Sequence, residues 1–213
     1  MTHVDGTEQT NAVTRRVGRR TLDAGEARTV QIARTYDAPL EDVWDACTNP
    51  ERIPRWFLPV SGELQEGGRY QVQGNAGGLI ERCDPPRGFT ATWEFGGQVS
   101  WIELRLSDAG AGQTRLELEH TARADDHWAQ FGPGAVGVGW DLALLGLTRH
   151  LVTGAAVDPQ TAMTFPASEE GRRFIEESSR GWCEAAITAG ADAGEATAAA
   201  ERTYAFFTGT GPG

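Results

Sequence analysis

The stretch from Arg34 to Pro59 limits what this chain can fold into more than any other part of it. A strand is predicted to end at Tyr36. Pro39 suits the opening of a helix, where its fixed φ and missing N–H cost nothing. Val43, Trp44 and Cys47 then share one helical face. Asn49-Pro50 stops that helix, because the residue before a proline is pushed out of helical geometry. A second short helix over 50–56 is expected to end at Trp56-Phe57.

The chain beyond Pro59 reads as an antiparallel meander. Strands are predicted near 60–66, 69–73, 78–84, 89–95, 98–107 and 113–121, after a first strand at 28–36. Glycine pairs or Asp84-Pro85-Pro86-Arg87-Gly88 mark the turns between them. Period-two alternation assigns faces. Ile102, Leu104 and Leu106 share one side, as do Leu116, Leu118 and His120, and Phe89, Ala91, Trp93 and Phe95. One face is therefore apolar and needs a cover. Val136, Trp140, Ala143, Leu144, Leu147 and Leu151 recur at helical spacing and predict that cover as a helix over 136–153.

This order of elements, with Glu66-Gly67-Gly68-Arg69-Tyr70, Asp84-Pro85-Pro86, Thr92-Trp93-Glu94, Thr114-Arg115-Leu116-Glu117-Leu118 and Gly139-Trp140-Asp141, resembles the homologues of the heat-shock-protein-90 ATPase activator. These belong to the START and polyketide-cyclase superfamily. The resemblance spans roughly 29–152. It implies an α+β helix-grip fold, a curved antiparallel sheet around a long helix with a cavity between them. It also implies a START-like module that binds a small, largely apolar ligand. Some relatives in the superfamily are cyclases or hydrolases, so an enzyme acting on a polyketide or aromatic compound is the alternative. A co-chaperone-like protein partner is the third reading.

Composition removes several function classes. The chain has 213 residues, a net charge of −11, and 19 basic residues that are all arginine. Without lysine there is no Schiff-base chemistry and no lysine-dependent phosphate loop. An acidic chain lacks the basic face a nucleic-acid partner requires. Cys47, Cys83 and Cys183 form no CxxC pair, so free thiols in a reducing, cytoplasmic setting are expected. The polar start carries no signal-peptide pattern, and no apolar run reaches the roughly 18 residues of a membrane span. No cofactor is expected.

Residues 1–16 are read as a disordered or loosely ordered tail, 17–153 as the helix-grip domain, and 154–213 as a linker and αα-hairpin. Ser168, with Glu169 and Glu170 after it, predicts one helix start, and Asp192 with Glu195 predicts another. Two short helices that bury only each other are marginal in water. The hairpin must therefore dock, and docking across a homodimer is preferred over docking within the chain.

Several side chains are candidates for chemistry. His120 continues the Leu116/Leu118 face, which aims its imidazole at the cavity as a ligand contact or an acid–base group. Asp141 could reach the cavity mouth and pair with it, although a carboxylate is also favoured in the first turns of a helix for electrostatic reasons alone. Phe89, Trp93, Leu118, Trp140 and Leu144 are the expected ligand-lining residues. Trp44 and Trp56 read as ordinary core, and Trp101 points away from Ile102. Of Glu81 and Arg82, adjacent on a strand, one is expected to face inward. Cys83 is expected to be buried in the sheet without a base beside it. Asp125, Asp126 and His127 have no metal-site spacing, so no metal is expected. Gly132-Pro133-Gly134, with Gly137 and Gly139, suggests a mobile lid.

Overall fold

The computed structural model describes residues 6–22 and 25–211. The elements run in chain order. Helix α1 (Gly6–Ala12) precedes the strands β1 (Thr14–Leu22) and β2 (Gly25–Tyr36). Helix α2 (Leu40–Thr48) and a 3-10 turn (Ile53–Arg55) come after them, and a second 3-10 turn (Phe165–Ala167) lies later in the chain. The sheet then continues with β3 (Val60–Gly62), β4 (Arg69–Val72), β5 (Gly77–Asp84), β6 (Gly88–Phe95), β7 (Gln98–Gly110) and β8 (Gln113–Arg123). Helices α3 (Asp126–Phe131), α4 (Gly134–Thr153), α5 (Pro159–Thr164), α6 (Glu169–Thr188) and α7 (Ala193–Thr208) complete the described chain.

The strands form one antiparallel sheet in the order β1-β2-β8-β7-β6-β5-β4-β3. This is an α+β helix-grip fold, with the curved sheet wrapped on α4 and a helical pair appended. The predicted faces hold. Ile102, Leu104, Leu106, Leu116 and Leu118 are all 6% exposed or less. All but Ile102 meet Leu144 and Leu147 of α4 in the main core. The outer face carries charge ladders, such as Arg105 with Glu103 and Glu117.

The amino-terminal reading changes. Met1–Asp5 lie outside the described residues, but 6–16 are not a loose tail. Gln9 of α1 is fully buried, and its Oε1 accepts a hydrogen bond from the Thr148 hydroxyl of α4 at 2.8 Å. Strand β1 pairs with β2 along its whole length. Its sequence, Thr-Arg-Arg-Val-Gly-Arg-Arg-Thr-Leu, hides the alternation because arginines occupy both faces. An inward charge on an edge strand also deters edge-to-edge pairing between molecules.

Glu81 and Arg82 also differ from expectation. The β5–β6 register shifts between Ile80 and Arg82, and both Glu81 and Arg82 are exposed. An inserted residue breaks strict alternation, so neither charge needs to face inward. Cys83 is only partly buried; partial burial, with Glu66 and Asp84 nearby, raises its thiol pKa. Cys47 sits deeper, and burial pushes its thiol up to about 12.

The hairpin docks within the chain. The Ser168 hydroxyl accepts from the Gly171 N–H and the Asp192 carboxylate from the Glu195 N–H, both at 3.0 Å, so the two predicted caps start α6 and α7. Helix α6 then packs on α1, β1, α4 and α7. Its Phe174, Ile175 and Trp182 are at most 1% exposed. The preference for docking across a dimer assumed that α4 had one apolar face, already used by the sheet. In fact α4 is buried on two sides.

Of the glycines read as a lid, Gly134 and Gly137 make close contacts on that second side. A Cβ on Gly134 would lie 2.8 Å from Thr203 of α7, and one on Gly137 would lie 2.3 Å from the Trp182 indole. Only glycine allows this closeness. Among the described residues no helix is long and apolar enough to cross a membrane.

Candidate functional site

His120 lies where alternation puts it, 4% exposed on the inner face of β8, opposite Val30 and Ile102. Its Nδ1 accepts from the Trp140 indole N–H at 3.1 Å. Its Nε2 lies 2.8 Å from the Ser100 hydroxyl, which donates to the Trp93 carbonyl at 3.0 Å. An Nδ1 that accepts carries no proton, so Nε2–H is the donor to Ser100. The ring is therefore neutral with both nitrogens occupied. Burial favours the same state, lowering the His120 pKa to about 4.

Aromatic rings surround it. Trp93 and Trp140 have centroids 5.2 Å apart, and they lie 6.2 and 6.0 Å from the imidazole. Phe89 packs edge-on to Trp44 at 6.5 Å and bridges this group to the main core. Beside Trp140 lies a second, smaller cluster, Ile80, Ala91 and Ile102, with Tyr70, Phe89 and Trp93 against it. Phe89, Trp93 and Trp140 are only half-buried. Phe95 continues the same face of β6 and is 60% exposed. Leu118 and Leu144, each 4% exposed, lie deeper, within the closed core.

Asp141 is not part of this group. It follows Trp140 on a helix, so its side chain turns about 100° away. It is fully buried against the hairpin. Arg15 grips it bidentately, Nη2 to Oδ1 at 2.7 Å and Nε to Oδ2 at 3.0 Å. The Ser178 hydroxyl and the Trp182 indole N–H donate to Oδ2 at 2.6 and 2.8 Å. The expected acid–base pair of His120 and Asp141 is therefore not assembled. Arg15 was missed because it falls in the segment read as a tail. A sequence signal did exist, since Val13, Arg15 and Val17 alternate on one strand face.

The remaining candidates have structural partners. The Asp125 carboxylate caps α3 by accepting the Trp128 N–H at 2.8 Å, and the His127 ring packs on Phe131 at 4.8 Å. Among the described residues no group of three or more His, Cys, Asp or Glu could hold a metal ion. The Trp56 indole donates to the Ala46 carbonyl at 2.8 Å, which fits its reading as core.

Comparison with known proteins agrees with this architecture. Residues 37–151 match the family model described as Activator of Hsp90 ATPase homolog 1-like protein. The crystal structure of CalU16 from Micromonospora echinospora is 41% identical, with a TM-score of 0.66 over 83% of this chain and 99% of that one. DynU16, from the dynemicin biosynthetic locus, is 24% identical over 60% of this chain and 48% of its own, with a TM-score of 0.51. An Hsp90 activator from Plasmodium falciparum is 18% identical over 60% of this chain and 96% of its own, also with a TM-score of 0.51. These last two likenesses show the fold alone. No curated protein matches the chain.

Proposed function

The chain belongs to the Activator of Hsp90 ATPase homolog 1-like family, and from that premise we propose that it binds a small, largely apolar ligand against the inner face of β5–β8, beside the first half of α4. One observation carries this reading. Three aromatic side chains, Phe89, Trp93 and Trp140, stay half-buried beside a buried, neutral His120 whose ring nitrogens are both hydrogen-bonded. Aromatic walls with one or two fixed polar groups are what small-molecule sites offer.

Flat or aromatic compounds suit such walls best, because ring faces and edges stack at the spacings already present among these side chains. Trp140 and Ser100 hold His120 in one tautomer. With a pKa near 4 it is a poor proton acceptor at neutral pH, which favours binding over acid–base catalysis.

Titration with the neutral apolar fluorophore Nile red tests the reading. Saturable binding is expected, weakened about tenfold or more by Trp93→Ala or Trp140→Ala, as befits a lost aromatic contact. Non-saturable binding, or variants that bind like the parent, would refute it.

A further inference from the structure

A second concavity, of about 570 Å³, lies away from His120, between the β1–β2 edge, the α3–α4 junction and the tip of the α6–α7 hairpin. Its volume falls in the roughly 300–1,000 Å³ range of small-molecule sites. Its body is apolar, with Val17, Trp128, Ala189, Ala196 and Ala199 among the lining residues. Alanines on the two helices give it depth, because larger side chains would fill it.

Its sheet wall carries an unusual charge arrangement. Arg19 of β1 and Arg28 of β2 both line the concavity and stand directly opposite each other in the strand register. Like charges at opposed positions repel and destabilise a strand pair. Little offsets them. Among the described residues no carboxylate lies within ion-pair distance of Arg19, and Arg28 reaches only Glu26, at 3.9 Å, which is itself 71% exposed. On the hairpin wall, the Asp192 carboxylate is committed to capping α7, and Glu195 is exposed.

From the arginine pair and the alanine-lined body we infer a binding site for a small amphipathic carboxylate. Its head is held between Arg19 and Arg28, and its aromatic or aliphatic body lies along α6 and α7. Two guanidinium forks match the two oxygens of a carboxylate and relieve the repulsion between them. The site is separate from the one proposed around Trp93 and Trp140, and neither depends on the other.

Titration of the full chain with 1-naphthaleneacetate and with its neutral amide tests this, read by calorimetry and by backbone amide shifts. The carboxylate is expected to bind at least about tenfold more tightly than the amide, the scale of a charge-assisted contact. Shifts should centre on Trp128, Gly190 and Ala196. Arg19→Gln with Arg28→Gln should remove the preference for the acid while the far-ultraviolet spectrum is unchanged. Ala196→Leu should block both probes with the arginines intact. Equal affinity for acid and amide, shifts centred on Trp93 and Trp140, or no binding of either probe would each overturn the assignment.

Discussion

Trp140 and Asp141 are neighbours in sequence and opposites in setting. Trp140 faces the sheet, half-buried, and spends its one polar atom on a neutral His120. Asp141 faces the hairpin with no exposed surface and receives four hydrogen bonds, two of them from one arginine. A buried carboxylate is tolerated only when its lone pairs are matched, so that side of α4 must be closed and strict in geometry. The aromatic side has no charge to satisfy and can stay partly open. One helix thus presents two different faces, a fully matched polar cluster toward the hairpin and a half-buried aromatic group toward the sheet.

The largest expected effect is at the closed face. Asp141→Ala leaves the Arg15 guanidinium buried without its partner and two further donors unmatched. Breaking a buried pair this way costs about 3–5 kcal/mol. Urea unfolding should show that loss, and a change below about 1 kcal/mol, the value of an exposed pair, would break the comparison.

Gly137→Ala comes next. Its Cβ would enter the Trp182 indole at 2.3 Å, and overpacking of this kind costs about 1–3 kcal/mol. Trp182 fluorescence should shift toward that of an exposed indole. A variant as stable as the parent would mean the hairpin sits less tightly than described.

The open face should respond to pH. His120 has a folded pKa depressed to about 4 from an ordinary 6.5. Between these values the unfolded chain binds more protons than the folded one. The contribution of His120 is therefore complete above pH 6.5 and lost as pH falls toward 4. The expected loss between pH 7.5 and 5 is about 2 kcal/mol. Comparing parent and His120→Gln at both pH values isolates it from the carboxylates, and an equal loss in the two proteins would count against a neutral His120.

Trp140→Phe is the mildest test. It keeps a ring and removes the N–H donor to His120, a change of about 1 kcal/mol. The His120 titration midpoint should rise, because the hydrogen bond to Nδ1 favours the neutral ring. An unmoved midpoint in an NMR titration would show that burial alone sets it.

Legibility from sequence tracked the range of the interactions. The alternation of Leu116, Leu118 and His120 predicted the inward imidazole correctly, because strand geometry is local. Ser168 and Asp192 marked the starts of α6 and α7 for the same reason. The β5 bulge defeated the reading of Glu81 and Arg82, since one inserted residue reverses every later position. The direction of Asp141 was hidden because it depends on Arg15, 126 positions away, and on Ser178 and Trp182 of a later helix.

By itself, then, the sequence determined the α+β class, the meander, the covering helix and the inward aromatic face around His120. Each rests on periodicity or on caps and turns within a few residues. The tertiary structure alone decided that α4 is buried on two sides, that β1 extends the sheet as its edge strand, and that the hairpin docks within the chain. Those outcomes required a carboxylate, an arginine and an indole from distant segments to meet, with Gly137 and Gly181 leaving space beside them for Trp182 and Arg15. No local pattern encodes that meeting, because the free energy that fixes it comes from desolvating and matching polar groups brought together only by the fold.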